Sequence, residues 1–375
     1  MTKLIDKACG LLEQMYDPDS GLFSYSARIV GSECVNDFSH PKKQRYTINT
    51  LAGLWKLREL GNGGWNFENS LEDYLRCQFD NVTDPGDKGL LLYVLALSEH
   101  PAAASQFEKV KTLVATDDRF SAHVLQDACW LLYGLIAFAN KFDNSEAEDL
   151  AHACFRVMLR KYFDRNTHLP YHAVSGPRKR FVSFGGITYF LKLLDHYASA
   201  FGSSEASELF EGGVDKIISL QGQNGEWAWF YDAVTGNVVD WYEVYSVHQE
   251  AMAMLFLLPA HDRDFAKTEG AINKSVNWLF GDNELHAQIM VDEPFFSFRS
   301  IRRRGTLQRE KRILRAFGNA ILGRSAAPAA ASDLEINTEC RSYEMGWTVY
   351  AWAGRDDFQD FTSLRRIESQ DQNAR

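Results

Sequence analysis

Residues 220–252, LQGQNGEWAWFYDAVTGNVVDWYEVYSVHQEAM, join a glycine turn rich in aromatic residues to the start of an apolar helix. The chain then continues to residue 258 with apolar side chains at the spacing of one helix face. The same spacing recurs at residues 45–60, 87–100, 126–142, 147–163, 183–201, 207–221 and 265–280. Strand-like alternation is confined to short stretches such as GLFSYSARIV and GEWAWFYD. The sequence therefore predicts a mostly α-helical protein.

The loops between these helices are similar to one another. Four of them combine Asp, Asn or Gly with a following aromatic pair, at residues 16–26, 59–69, 162–173 and 220–232, and a fifth at 279–290 lacks the pair. From the third loop to the fifth the spacing is about sixty residues, the length of two helices and their connections. A repeated helical hairpin is therefore predicted.

Paired helices of this kind form either an open superhelix or a closed ring. The helices at 126–142 and 183–201 are apolar on nearly all sides, as inner helices covered by an outer layer should be, and no capping repeat is recognisable. We predict an all-α fold, an α/α toroid of six helical hairpins, with short β-like hairpin loops at one end. Residues 1–375 are expected to form a single domain, in which GRSAAPAAASD (323–333) loops before the last helix.

Composition excludes several classes of protein. The formal net charge of −10 disfavours nucleic acid as a partner, and no apolar run is long enough for a membrane span. The N-terminal segment does not have the pattern of a signal peptide, so a cytoplasmic location is expected. The six cysteines form no CxxC pair, and we expect them to be reduced, with no metal site and no cofactor. The oligomeric state is left open.

Gln221, Gly225 and Trp227 have the spacing Q-x3-G-x-W. This spacing resembles the QW repeat of the squalene-hopene and oxidosqualene cyclase superfamily, in which it fastens a helix end to the next hairpin, and NGGW (62–65) is a degenerate second instance. The resemblance implies a toroid. A terpene cyclase also needs an acidic aspartate, and the sequence has no DxDD motif. Asp127, in QDACW, is the candidate proton donor for a prenyl substrate in this alternative, or else a helix-capping residue.

Other toroid families act on carbohydrates, and they need acid–base groups and stacking rings in one cleft. In a helical ring, the loops that lead into the inner helices surround one funnel, so we expect the aromatic loops to converge there. WYEVYSVHQEAM resembles the Tyr- and His-bearing helix start of the glucuronyl C5-epimerase C-terminal domain. The leading hypothesis is an enzyme that acts on an acidic sugar or polysaccharide as an epimerase, hydrolase or lyase. Its candidate acid–base residues are Glu243, Tyr245, His248 and Asp232.

The candidate substrate-binding residues are rings and arginines. Rings stack on sugar C–H faces, and an arginine holds a carboxylate, sulfate or phosphate through paired hydrogen bonds. The predicted set is Trp227, Trp229, Trp241, Tyr242, Arg180, Arg299, Arg302 and Tyr343. Ion pairs within the protein explain the same arginines equally well, and a scaffold that binds a glycan or protein without catalysis is a further alternative.

Three motifs extend the resemblance over the whole chain. They are VYSVHQ (244–249), RFVSFGG (180–186) and ECRSYEMGW (339–347). An uncharacterised family of bacterial proteins carries similar motifs at comparable positions, and we associate it with polysaccharide and glycosyltransferase gene neighbourhoods. The resemblance implies a role in polysaccharide metabolism without indicating a reaction.

Overall fold

The computed structural model describes residues 2–31, 33–61 and 65–358. The helices in these residues are α1 (Thr2–Gln14), α2 (Lys43–Glu59), α3 (Phe67–Gln78), α4 (Pro85–Leu97), α5 (Ala102–Val114), α6 (Asp117–Ser121), α7 (Leu125–Phe142), α8 (Ser145–Tyr162), α9 (Phe184–Phe201), α10 (Ser204–Ile218), α11 (Met254–His261), α12 (Thr268–Trp278), α13 (Gln308–Ile321) and α14 (Ser342–Trp352). A π-helical turn, His248–Met252, precedes α11.

The strands are short. They are β1 (Tyr16–Asp17), β2 (Leu22–Phe23), β3 (Ser26–Val30), β4 (Glu33–Asp37), β5 (Phe163–Asp164), β6 (Leu169–Pro170), β7 (Phe181–Ser183), β8 (Phe230–Asp232), β9 (Asn237–Asp240), β10 (Val244–Tyr245), β11 (Met290–Val291), β12 (Phe296–Ser297), β13 (Ser300–Arg303) and β14 (Leu334–Asn337). All pairings between them are antiparallel.

Six helices form a closed inner ring. In the order α2, α4, α7, α9, α11 and α14, each packs against the next, and α14 packs against α2. The outer layer consists of α1, α3, α5, α8, α10 and α12, each packed against an inner helix. Within the described residues this is an α/α toroid of six hairpins, as predicted, with α6 and α13 as additional helices. The hydrophobic periodicity explains the two layers. The inner helices α4 and α7 bury 10 of 13 and 13 of 18 residues, whereas the outer helix α8 buries 7 of 18, on one face.

The ring closes through a close contact between α2 and α14. Gly346 lies so near α2 that a Cβ atom on it would be 2.5 Å from the Thr50 Cα atom, and a Cβ on Gly53 would overlap the Gly346 carbonyl. Only residues without a side chain allow two helix backbones to approach this closely. The two glycines therefore set the spacing at the closure.

All the strands listed above occur in connections that lead from an outer helix to the next inner helix. These connections lie at the end of the ring where the inner helices begin, so the predicted β-like loops at one end are confirmed. Residues 323–330 form an irregular loop before α14, as expected. Of NGGW, residues 62–64 lie outside the described residues, and Trp65 packs against Tyr16 and Phe23.

The predicted helix at 245–258 differs in its first turn. Tyr245 belongs to β10, which pairs with β13, and the helix starts with the π-helical turn at His248. Among the described residues, every helix is too short or too polar to cross a lipid bilayer. All six cysteines are unpaired, and four of them are buried.

Candidate functional site

A cavity of about 330 Å³ lies at the end of the ring where the inner helices begin. We call it the funnel. It is lined by Lys42, Arg45, Tyr46, Asn49, Gln126, Trp130, Ser183, Gly185, Tyr189, Trp229, Tyr245, His248, Met252, Arg299 and Tyr343. The start of α2, α7, α9 and α14 and the π-helical turn all contribute to this lining. Of the aromatic loops that were expected to converge here, the loop at 220–232 contributes Trp229, whereas the described residues of 16–26, 59–69 and 162–173 do not line the funnel.

Aromatic rings form much of the funnel wall. Trp229 lies parallel to His248, with ring centroids 5.8 Å apart, and its centroid is 4.9 Å from that of Tyr245. On the side where the ring closes, Tyr46 and Tyr343 have centroids 4.4 Å apart. Flat rings beside polar groups are the usual composition of a small-molecule site.

His248 is buried, at 3% exposure, in the π-helical turn. Burial, together with the positive charge of Arg299, lowers its pKa to about 3. The imidazole is therefore neutral at physiological pH. Its Nδ1 atom has no hydrogen-bond partner among the described residues. Such π-helical turns are common at functional sites.

Arg299 brings a positive charge into the funnel. Its guanidinium lies 4.7 Å from the centroid of the Tyr245 ring, and its buried Nη1 atom has no hydrogen-bond partner in the part of the chain that the structure describes. The backbone of Arg299 is fixed between two elements, because its N–H donates to the Glu339 carbonyl and its carbonyl accepts from Ser246. A fixed cation with an unused donor is suited to an anionic group of a ligand.

Arg45 forms ion pairs with three aspartates at the edge of the funnel. Its Nε atom is 2.6 Å from Asp87, and its Nη2 atom is 2.6 Å from Asp84 and 3.7 Å from Asp127. Burial, reinforced by the charges of the neighbouring aspartates, raises the pKa of Asp127 to about 7. Burial raises the pKa of Asp87 to about 6, against the opposing effect of Arg45. Asp127 therefore exchanges its proton near neutral pH, as a general acid requires.

Five of the residues predicted from the sequence line the funnel: Trp229, Tyr245, His248, Arg299 and Tyr343. Asp127 adjoins it through Arg45. Sequence analysis missed Arg45 and Asp87, because Asp87 follows the Asp84 cap in the first turn of α4, where acidic residues are common for helix stability alone. The basic cluster HPKKQRYT (40–47) at the start of α2 was the available signal for Arg45.

Trp227 does not line the funnel, contrary to the expectation that it stacks on a ligand. Its ring is fully buried against Phe184, with centroids 5.2 Å apart, and its Nε1 atom donates to Ser275 at 2.6 Å. Gln221 of the same motif donates to the carbonyls of Gly225 and Ala271. The Q-x3-G-x-W segment thus fastens the end of α10 to α12.

Asp232 and Arg180 form an ion pair away from the funnel. Two hydrogen bonds, of 2.8 and 2.5 Å, join the guanidinium to the fully buried carboxylate. Asp232 also accepts from Val234 and Thr235 in the following turn. Burial raises the pKa of Asp232, but these hydrogen bonds outweigh it and lower the pKa. The expected catalytic role of Asp232 and binding role of Arg180 are replaced by a structural one.

The remaining predicted residues line two other cavities. Trp241 borders one of about 650 Å³, and its Nε1 atom donates to the Ala326 carbonyl. Tyr242, Glu243 and Arg302 border one of about 250 Å³. Glu243 accepts a hydrogen bond from Ser300 and lies 3.6 Å from Arg312. Consecutive residues of one segment thus face different cavities.

No protein-family model matches the chain, and no curated protein is similar to it in sequence. Solved structures do resemble it. A cellobiose 2-epimerase from Bacillus thermoamylovorans has a TM-score of 0.67 at 10% identity, covering 94% of this chain and 99% of that one. A family 88 glycosyl hydrolase from Bacteroides vulgatus has a TM-score of 0.61 at 10% identity, covering 93% and 96%.

An unsaturated glucuronyl hydrolase from a Bacillus species, described as responsible for glycosaminoglycan degradation, has a TM-score of 0.59 at 11% identity, covering 94% of this chain and 95% of that one. At such identities the likeness shows a shared fold, the α/α toroid. The resemblance to the bacterial family with the VYSVHQ motif stays a prediction.

Proposed function

We propose that the protein is a carbohydrate-active enzyme that acts on an acidic sugar, with the funnel as its active site. The observation that carries this proposal is the convergence, in one cavity, of stacking rings, His248 and the Arg299 cation, with the Asp127 cluster adjoining that cavity through Arg45. The three similar structures are named as carbohydrate enzymes, and one is named for a glucuronyl group, which is acidic. Their names support the substrate class, while the residues support the acid–base chemistry.

Binding is assigned to the rings and to Arg299. Trp229, Tyr46 and Tyr343 offer apolar faces for sugar C–H groups. The Arg299 guanidinium has unused donors and meets the carboxylate of the sugar. Tyr46 and Tyr343 belong to α2 and α14, whereas Trp229 and Arg299 belong to the connections before α11 and α14, so several elements of the ring contact the substrate.

Proton transfer is assigned to Asp127, and hydrogen bonding to His248 and Tyr245. Asp127, with its pKa near 7, donates a proton and takes one back once it is ionised, whereas the neutral His248 imidazole accepts a hydrogen bond. Burial raises the pKa of the Tyr245 hydroxyl, so Tyr245 stays protonated and donates a hydrogen bond. Glu243 has no acid–base role in this proposal, since it lines the neighbouring cavity.

The experiment is a screen of uronate oligosaccharides with purified protein. New reducing ends indicate hydrolysis, a new double bond absorbing in the ultraviolet indicates a lyase, and deuterium uptake from D2O without cleavage indicates epimerisation. Asp127→Asn and Arg299→Gln should each abolish the activity found. Arg160→Gln is the matched control, because Arg160 pairs with Asp117 on an exposed surface. Turnover retained in both funnel variants would refute the proposal.

The lining of the funnel does not favour the terpene-cyclase alternative. A prenyl substrate and its carbocations require a dry, apolar cavity, whereas Arg45, Asn49 and Arg299 bring polar groups to the wall. The same screen includes prenyl diphosphates, and cyclisation of one of them would reverse this conclusion.

A further inference from the structure

A second cavity, of about 250 Å³, adjoins the funnel and is unusually rich in arginine. We call it the arginine cavity. Arg302, Arg303, Arg312 and Arg315 line it, two from β13 and two from α13.

The carboxylates around the arginine cavity do not use up its donors. Asp240, at 1% exposure, pairs with both Arg303 and Arg315, at 3.2 and 3.3 Å. Arg302 pairs with Glu335 at 2.9 Å, and Arg312 lies 3.6 Å from Glu243. Four guanidinium groups thus face three carboxylates, which leaves an excess of positive charge among the described residues.

The hydrogen-bond donors of these arginines also exceed the acceptors that the described residues offer them. Each guanidinium carries five N–H donors in a planar fork. The Nε atoms of Arg303, Arg312 and Arg315 are buried and have no hydrogen-bond partner among the described residues. Buried donors need an acceptor, which either an ordered water or a bound group supplies. An oxyanion, with several acceptor oxygens, satisfies both the charge and the donors.

One side chain separates the arginine cavity from the funnel. The Arg312 guanidinium lies 5.3 Å from the centroid of the Trp229 ring, which lines the funnel, and its Nη2 atom lies 3.6 Å from Glu243, which lines the arginine cavity. Glu243 lines the arginine cavity, and Tyr245, two residues later in the chain, lines the funnel. The two cavities therefore lie on opposite sides of the Arg312 side chain.

We propose that the arginine cavity binds a second oxyanion, a carboxylate, sulfate or phosphate, of the same ligand that occupies the funnel. The acidic group in the funnel rests on the proposed function, whereas the oxyanion site in the arginine cavity does not. The substrate is accordingly an oligosaccharide with at least two acidic groups, rather than one acidic sugar.

The oxyanion site is tested with sulfate. Sulfate should raise the melting temperature of the wild-type protein more than chloride does at equal ionic strength, because it binds the folded state. The extra increment should disappear in Arg315→Gln, in which Asp240 keeps Arg303 as a partner. Arg160→Gln should retain it. An increment that is absent from the wild type, or equal in Arg315→Gln, would overturn the site.

The link to the funnel is tested with galacturonate and digalacturonate. In calorimetry, digalacturonate should bind the wild type roughly tenfold or more tightly than galacturonate, since a charge-assisted hydrogen bond contributes about that factor. Arg315→Gln should remove most of this advantage without changing galacturonate binding.

If galacturonate binds and digalacturonate binds no better, the second acidic group of the ligand is excluded. If neither binds, the proposed acidic-sugar function fails, and the sulfate result still decides the oxyanion site. Sulfate also stabilises proteins without binding to a site, so the comparison with a cavity variant is essential. If Arg315→Gln does not fold, Arg302→Gln, which removes a half-exposed arginine of the same cavity, replaces it in both tests.

Discussion

Asp127 shares the Arg45 guanidinium with Asp84 and Asp87, and this crowding controls its charge. A single positive charge cannot neutralise three carboxylates, and burial penalises the ionised form further. The result is a carboxyl group that holds its proton up to about pH 7. Asp127 thus changes its protonation in the pH range in which enzymes are assayed, as does its neighbour Asp87, whose pKa is about 6.

The first prediction concerns the rate. If Asp127 is the proton donor, kcat falls as the pH rises through about 7, because the donor is then ionised. His248 adds no further change between about pH 5 and 9, since its pKa lies near 3. A pH profile of kcat measures this. A profile that keeps rising above pH 8 would assign the proton donor elsewhere.

The second prediction concerns stability. The pKa of Asp127 is higher in the folded protein, about 7, than its ordinary value of 3.8, so its contribution to stability is present at low pH and is lost as the pH rises through 7. Asp127→Asn, which cannot ionise, should therefore gain stability relative to the wild type between about pH 4 and 8, by on the order of a few kcal/mol. Urea unfolding of the variant and the wild type at pH 4 and at pH 8 measures the difference in their free energies of unfolding. If this difference is the same at both pH values, the prediction is contradicted.

At the scale of elements, periodicity predicted most of the inner helices but not the start of the one after residue 245. Tyr245 of β10 pairs with Ser300 of β13, in the three-stranded sheet that β14 completes. The spacing of apolar residues within one segment cannot predict a pairing with a residue so far away in the chain. The same limitation applies to the site. Trp229 and His248 are near in sequence and were predicted together, whereas Arg45 meets Asp87 and Asp127 only through the packing of α2, α4 and α7.

The Q-x3-G-x-W segment provides the third prediction. Trp227→Phe keeps the packing against Phe184 but removes the hydrogen bond to Ser275. It should destabilise the protein by about 1–3 kcal/mol, because the Ser275 hydroxyl loses its buried partner. Turnover and KM should stay unchanged, since Trp227 does not line the funnel. Chemical denaturation and steady-state kinetics measure the two effects, and a loss of turnover in a folded variant would return Trp227 to the site.

At the scale of the molecule, the ring depends on the contact between α2 and α14. Sequence periodicity indicated that the ring closes, through helices that are apolar on nearly all sides. It did not indicate where the closure lies, because Gly53 and Gly346 are far apart in the chain and unremarkable in their own helices. Their close approach is a property of the folded ring alone.

The fourth prediction tests this closure. Gly346→Ala places a Cβ atom 2.5 Å from the Thr50 Cα atom, so the two helices must separate. The expected cost is about 1–3 kcal/mol or more, together with weaker ligand binding, because Tyr46 and Tyr343 sit on the two helices that move. Gly270→Ala in α12 is the control, since a Cβ there contacts nothing within 4 Å and alanine favours helix. Equal melting temperatures of the two variants would refute the steric argument.

The position of α14 also bears on how the protein is made. A nascent chain that has left the ribosome only as far as α13 has five of the six inner helices, and the gap between α11 and α2 exposes the surfaces that α14 covers. Tyr343 is still absent at that stage, so the funnel has no complete wall. Ligand recognition therefore requires α14 to be synthesised and packed into the ring.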